Sequence, residues 1–180
     1  MSEPIPAEIS IGGEIRVELV PELCKAIAAE YVSLEWGDAH FESKTAEDLL
    51  SACQVKEGVR LLWLCADQAN YGELRQLEAF LVGAGIPFRR RSNATYQFDA
   101  EVAEFRMGTD PVRYPSDSSG RPFLSLPTMV LIAEAADQAA RTAEGQTSLE
   151  LLRRLRNLQQ LVHEHVPAAL PPLPAFEIVG

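Results

Sequence analysis

The sequence predicts an α+β fold: a ferredoxin-like split βαβ sheet extended by β-hairpins, then a C-terminal αα-hairpin and a proline-rich tail. Three observations predict it. Residues 59–88 have the pattern of a buried strand, a polar turn, an amphipathic helix and another strand. Segments with the strand period of two lie on both sides of this unit. The last third of the chain has apolar residues at the helical period, followed by a run of prolines.

The first third predicts two strands and two helices. Residues 9–15 alternate between apolar and polar, which predicts a strand that a central Gly-Gly pair interrupts as a bulge or turn. A helix follows, with Pro21 in its first turn, where proline is tolerated. Residues 32–36 alternate again and predict a second strand. Thr45 begins a sequence that resembles a capping box, which predicts a short helix over residues 46–53.

The central unit is the clearest part of the pattern. Residues 59–66 are almost entirely apolar, which predicts a strand covered on both faces. Asn70 can cap the next helix, whose apolar positions recur from Leu74 to Leu81. Residues 86–91 return as a strand.

The order strand, helix, strand, strand, helix, strand is that of the ferredoxin-like arrangement. A mostly parallel α/β sheet is the alternative, because the helix over residues 46–53 could be a crossover connection. That helix is short and has few apolar residues with which to cover a sheet face. This favours the split arrangement.

The remaining chain predicts hairpins and then helices. Turn-forming residues at 92–94 and 115–120 predict two β-hairpins. Apolar positions over 129–143 and 151–166 predict two helices that pair as an αα-hairpin. The predicted organisation has three parts: a sheet domain over residues 1–126, a helical hairpin packed on it over residues 127–166, and an extended tail over residues 167–180.

Composition excludes some classes of protein. The chain has 180 residues, of which 47% are hydrophobic and 23% charged, as in ordinary globular domains. Its net charge of −10 argues against general nucleic-acid binding, which needs a basic surface. The negative charge is concentrated in residues 1–58, which hold 4 Lys+Arg and 12 Asp+Glu. We expect an acidic face there.

The cysteines and the termini predict a cytoplasmic protein. Cys24, Cys53 and Cys65 have no paired spacing, which predicts buried, reduced thiols. The first ten residues lack the basic and apolar regions of a signal peptide. No apolar run approaches the ~20 residues needed to span a bilayer, so we expect no association with a membrane.

Two segments are candidates for ligand binding. The segment from Asp67 to Gly72 follows a buried strand and precedes a helix, a position at which ligands and anions bind in open sheets. Arginine binds carboxylates and phosphates through two parallel hydrogen bonds, and three arginines are consecutive in the next strand. Their alternative role is to protect a sheet edge by charge. The predicted ligand-binding residues are Asp67, Asn70, Arg89, Arg90 and Arg91.

Catalytic and metal motifs are not evident. Cys65 lies in an apolar strand, which raises the pKa of a thiol, and nothing in the sequence places His40 beside it as a base. His163 and His165 are two positions apart, so on a helix they point about 200° away from each other. We expect no catalytic residue, metal or cofactor.

Two classes of function remain open. The first is a non-catalytic accessory protein that holds a protein partner or a second copy through the acidic face, the helical hairpin or the tail. The second is an enzyme or sensor that binds a small anion or nucleotide in a cleft at residues 67–72. The lack of a linked set of His, Cys, Asp or Lys favours the first.

Overall fold

The protein combines strands and helices, which confirms the predicted α+β class. The computed structural model describes residues 4–141, 148–166 and 170–180. In chain order, the strands in these ranges are β1 Pro4–Ile11, β2 Gly13–Arg16, β3 Gln54–Lys56, β4 Val59–Asn70, β5 Phe88–Ser92, β6 Glu101–Phe105, β7 Val112–Pro115 and β8 Phe176–Val179. The helices are α1 Val20–Ala29, α2 Ala46–Ala52, α3 Arg75–Ala84, α4 Leu126–Arg141 and α5 Ser148–His165.

The chain divides into two compact units. The first contains the residues up to Arg121 together with Leu170–Gly180, and we call it the sheet unit. The second is Pro122–Ala169, and we call it the helical unit. The described end of the predicted tail therefore belongs to the sheet unit.

The main sheet of the described residues has six strands in the order β3-β4-β1-β5-β6-β7. Every neighbouring pair in it is antiparallel, so the mostly parallel alternative is wrong. The ferredoxin-like arrangement is not confirmed. In the predicted second strand, Ser33 makes a single bridge to Cys65, and β3 pairs with β4 instead. The chain turns at Gly37, whose φ is +77° and whose N–H donates to Asp67.

Alternation along β1 gives the main sheet two different faces. Ile9 shares one hydrophobic cluster with Leu23 of α1 and Leu77 of α3, and all three side chains are fully buried. Each such side chain contributes roughly 1.5–3 kcal/mol to stability. Glu8 and Ser10 point to the opposite side, which we call the outer face.

The predicted interruption of the first strand is a change of sheet. β1 ends at Ile11, and β2 pairs in parallel with β8 in a separate two-stranded sheet. Gly13, with a φ of +93°, donates a hydrogen bond of 2.9 Å to the carbonyl oxygen of Ala175. Phe176 of β8 is 1% exposed and belongs to the main hydrophobic cluster. The C-terminal strand is thus part of the core.

The start of α3 differs from the prediction. β4 continues to Asn70, so this residue does not cap the helix, which begins at Arg75. The carboxylate of Glu30 accepts hydrogen bonds from two N–H groups in the first turn of α3, and Glu78 accepts one from Leu74 at 3.0 Å. The carboxylates of Glu30, which directly follows α1, and of Glu78 in α3 therefore accept the hydrogen bonds that we expected Asn70 to accept. By contrast, the capping box at Thr45 is confirmed.

We expect Gly12→Ala to destabilise the protein by about 1–3 kcal/mol, because its Cβ would need backbone to move. That Cβ would lie 2.1 Å from the carbonyl oxygen of Pro174. Gly83→Ala is the control: its site in α3 is open, and we expect a gain of about 0.5–1 kcal/mol. Urea unfolding followed by tryptophan fluorescence measures both. A Gly12→Ala protein as stable as the parent would contradict this packing.

The helical unit is built from α4 and α5. Ala135 and Ala139 of α4 lie beside Leu158 and Leu161 of α5, and Ala139 is buried. We call this side of α4 the alanine face. Ala133 and Ala140, which the apolar pattern over residues 129–143 also predicts on the inner side, are exposed instead. In the described ranges, no helix is long and apolar enough to cross a bilayer.

Candidate functional site

The three consecutive arginines of β5 lie on two different faces of the sheet. Arg90 is fully buried on the side that α1 and α3 cover, because it is paired with Ile9 of β1. Arg89 and Arg91 are half-buried on the outer face. The strand period separates them, so the three side chains do not form one clamp.

Arg90 is the centre of a buried ionic network. Its Nη1 donates to the carbonyl oxygen of Gly72 at 2.7 Å, and its Nη2 donates to Glu101. Its Nε lies 2.8 Å from Oε1 of Glu78 as an ion pair, but out of line for a hydrogen bond. Glu78 also contacts Arg113, at 3.0 Å. These contacts are typical of a structural role for Arg90.

Glu73 extends the network toward the surface. Partial burial by itself would raise its pKa, but hydrogen bonds from Arg75 and Arg113 outweigh this effect and hold the pKa below its ordinary value. The carboxylate is therefore held in its charged form. This end of the sheet is fixed by its own ion pairs.

The outer face holds a groove of about 640 Å³. Its floor is formed by alternate residues of β1, β4, β5 and β6. Lys56 at the end of β3 and Glu57 in the turn after it line one side, and the segment Leu170–Leu173 lines another part. All of these residues belong to the sheet unit. We refer to this feature as the groove.

One row of the groove floor runs across four strands. Trp63 of β4 is opposite Ser10 of β1, which is opposite Arg89 of β5, which is opposite Glu104 of β6. Adjacent strands are about 4.8 Å apart, so the backbones of Trp63 and Arg89 are about 10 Å apart. The aromatic ring of Trp63 and the guanidinium of Arg89 are thus separated along the row by about the length of a small organic molecule.

Arg89 and Arg91 also hold the turn that includes Gly120. Arg89 Nη2 donates to the Gly120 carbonyl oxygen at 2.9 Å, and Arg91 Nη1 donates to that of Ser119 at 3.3 Å. Asp117 closes this turn from within by accepting a hydrogen bond from the Ser119 N–H at 2.8 Å. The predicted turn at 115–120 therefore packs directly on the two arginines.

The Lys56 ammonium lies 4.3 Å from the centre of the Trp63 ring, as a cation–π contact. Trp36 also contacts this ring in a T-shaped arrangement, with ring centres 6.2 Å apart. Trp63 is largely buried, which fixes the ring. The groove therefore has a rigid aromatic floor with a cation above it.

Arg106 fixes one wall of the groove. Its Nε donates to the carbonyl oxygen of Pro171 at 2.7 Å, and its Nη1 donates to those of Phe88 and Phe105, both at 2.9 Å. Burial lowers its pKa from the usual value, against the opposing effect of Glu104. Arg106 thus ties the C-terminal segment to β5 and β6.

The other predicted ligand residues lie elsewhere. Asp67 and Asn70 are exposed positions of β4, not of a loop, and neither lines the groove. Asp67 accepts a hydrogen bond of 3.1 Å from Gly37, and Asn70 is paired with Pro4 of β1. The structure thus brings together two of the five predicted residues, Arg89 and Arg91. Sequence reasoning missed Ser10, Lys56, Trp63 and Glu104.

The environment of Cys65 favours the thiol. Burial first, and then the negative charges of Asp67 and Glu8, raise its pKa to about 11. Its Sγ lies 3.5 Å from the carbonyl oxygen of Ser33. His40 instead contacts Tyr31, with Nδ1 3.1 Å from its carbonyl oxygen. These contacts disfavour a nucleophilic thiolate.

Metal ligands do not cluster in the parts of the chain that the structure describes: no group of three or more His, Cys, Asp or Glu residues could hold an ion there. The side chains of His163 and His165 lie outside the described residues.

The helical unit presents a second surface. Nine large apolar residues in the described part of this unit are exposed. Six of them form what we call the apolar surface: Leu126, Met129 and Val130 of α4, and Leu149, Leu152 and Leu155 of α5. Leu149 is 81% exposed and Leu152 is 55% exposed. Neither lines the cleft between the two helices.

Comparison with models of protein families, with curated proteins and with solved structures finds no match. The groove and the apolar surface therefore have to be interpreted from their own chemistry.

Proposed function

We propose that this chain is an interaction protein that pairs with a second copy of itself through the apolar surface of the helical unit. The observation that carries the proposal is the exposure of six large apolar side chains on two helices that already pack together. Contiguous exposed apolar patches of this kind mark interaction sites.

Helical geometry supports one continuous surface. At 100° per residue, Leu126, Met129 and Val130 lie roughly 130° around α4 from its alanine face. On α5, the three leucines of the apolar surface lie at a similar angle from the side that faces α4. The rotation about the helix axis has the same direction in both helices. Helices joined by a short connection run antiparallel, so equal displacements bring both stripes to one side of the pair.

The charges beside the apolar surface favour a second copy as the partner. α4 has exposed acidic residues, Glu134 and Asp137, whereas α5 has exposed basic ones, Arg153 and Arg156. In a two-fold dimer, α4 of each copy can face α5 of the other, so opposite charges meet twice. A two-helix unit also gains the core it lacks when two such units form four helices.

The other predicted surfaces are less suited to this role. The described part of the tail, residues 170–180, includes β8, whose backbone pairs with β2. The acidic first third contributes Ile9, Leu23 and other core residues, and its charge serves solubility. Cys24, Cys53 and Cys65 form no disulfide, which supports the proposed cytoplasmic location.

We expect the 180-residue chain to be a dimer in light scattering coupled to size exclusion, and Leu152→Glu and Leu155→Glu to be monomers. A buried carboxylate without a partner in the interface costs several kcal/mol, enough to dissociate a micromolar dimer. Val55→Glu is the control, because Val55 is as exposed as these leucines but lies on β3 in the sheet unit. We expect it to remain dimeric.

A charge exchange tests the orientation of the two copies. Asp137→Arg and Arg156→Asp should each weaken the dimer, and the double variant should recover it. A folded 180-residue chain that stays monomeric over a wide range of concentration would refute the proposal. So would dimers that tolerate both leucine substitutions.

A further inference from the structure

The groove of the sheet unit contains hydrogen-bond donors that the protein leaves available. Lys56 contacts the Trp63 ring, and among the described residues no carboxylate forms an ion pair with it. Arg89 uses Nη2 for the Gly120 carbonyl oxygen, while its Nε faces Glu104 at 3.1 Å. Its Nη1 has no hydrogen-bond partner within the described ranges. The Ser10 hydroxyl lies between them in the same row of the floor.

We propose that the groove binds a small organic anion. Its carboxylate or phosphate oxygens accept hydrogen bonds from Lys56 and Arg89, and its apolar part lies against Trp63 and Leu61. This site is independent of the self-association proposed for the helical unit.

The charge of the groove selects an anion. Four cationic side chains line it against three carboxylates: Lys56, Arg89, Arg91 and Arg106 against Glu8, Glu57 and Glu104. Arg89 is 3.1 Å from Glu104 and Arg91 is 3.2 Å from Glu8. These two ion pairs leave Lys56 and Arg106 against Glu57, so the groove keeps a net positive charge of one. A positive groove in a chain of net charge −10 concentrates anions at this place.

The dimensions of the groove select a small molecule. A volume of about 640 Å³ lies within the range of ligand sites, roughly 300–1,000 Å³. The backbones of Trp63, whose ring lies beneath the Lys56 ammonium, and Arg89 are two strand spacings apart, roughly 10 Å. An anionic group and a ring span this distance together, whereas inorganic phosphate alone does not. Organic anions should therefore bind more tightly than inorganic phosphate.

The groove is also held in shape before any ligand enters. Arg106 fixes Pro171 at the wall, and Trp63 is supported by Trp36. Arg91 and Arg89 hold the turn at Gly120. Binding therefore immobilises few additional side chains, which lowers its entropic cost.

The test is a titration of the 180-residue chain, followed by NMR, with benzoate, phenyl phosphate, inorganic phosphate and uncharged benzyl alcohol. The chain has two tryptophans, so Trp36→Phe assigns the indole N–H signal of Trp63. We expect a saturable shift of this signal with benzoate or phenyl phosphate. Affinity for benzyl alcohol should be at least about tenfold weaker, because it lacks the charge-assisted hydrogen bonds. The preferred anion distinguishes a carboxylate site from a phosphate site.

Variants then locate the binding groups. Lys56→Gln should weaken the anion about tenfold or more, and Arg89→Lys should weaken it while keeping the fold. Lys44→Gln is the control, because Lys44 is exposed and does not line the groove. The proposal is overturned if neither organic anion gives a saturable shift, if benzyl alcohol binds equally well, or if Lys56→Gln leaves the affinity unchanged.

Discussion

Replacing Arg90 with methionine should destabilise the sheet unit by about 3–5 kcal/mol. The guanidinium is 0% exposed and is paired with Glu78 and Glu101, so its removal leaves a buried carboxylate without its main counter-charge. It also leaves the carbonyl oxygen of Gly72 without its donor. Urea unfolding monitored by tryptophan fluorescence measures the loss, because Trp36 and Trp63 both lie in this unit.

Two variants separate the buried network from general effects of lost charge. Arg75→Ala removes an exposed partner of Glu73 and should cost no more than about 1 kcal/mol. Glu78→Gln in the Arg90→Met background should recover part of the stability, since it removes a buried charge that keeps only Arg113 as its partner, yet retains an acceptor for Leu74. A loss in Arg90→Met no larger than that in Arg75→Ala would show that the network contributes little.

The second large effect concerns the last strand. Phe176→Ala should cost about 3–5 kcal/mol, because the ring is fully enclosed in the main hydrophobic cluster and its removal leaves a cavity. Phe98→Ala, at an exposed position of a loop, should cost about 1 kcal/mol or less. Chemical unfolding compares the two. If both variants were equally stable, β8 would not be part of the core.

The C-terminal segment is predicted as an extended tail, but part of it forms strand β8. Prolines over residues 167–174 predict an extended chain, and an extended chain can equally well become a strand. β8 pairs with β2, more than 150 positions earlier in the sequence. The local sequence pattern does not indicate this pairing. A residue's preference for a strand is similar whichever strand it pairs with, so it does not identify β2 as the partner of β8.

The candidate sites show the same division. The basic character of residues 89–91 was evident, but the face on which each arginine lies depends on its register with β1. The sequence predicts Trp63 as one of several core residues in a strand covered on both faces. In the structure, its neighbour Ser10 and the cation of Lys56 make it the floor of the groove. Each of these neighbours comes from a different strand or turn.

The sequence by itself determined the α+β class, the strand at 59–66, the capping box at Thr45 and the apolar character of α4 and α5. These features depend on the periodicity of apolar residues and on local hydrogen bonds, both of which involve residues that are close together in the sequence. The tertiary structure alone decided that Arg90 is buried, that the last strand enters the core, and that Lys56, Trp63 and Arg89 share one groove. Those features depend on strand order and register, which distant segments fix together when they bury a common core.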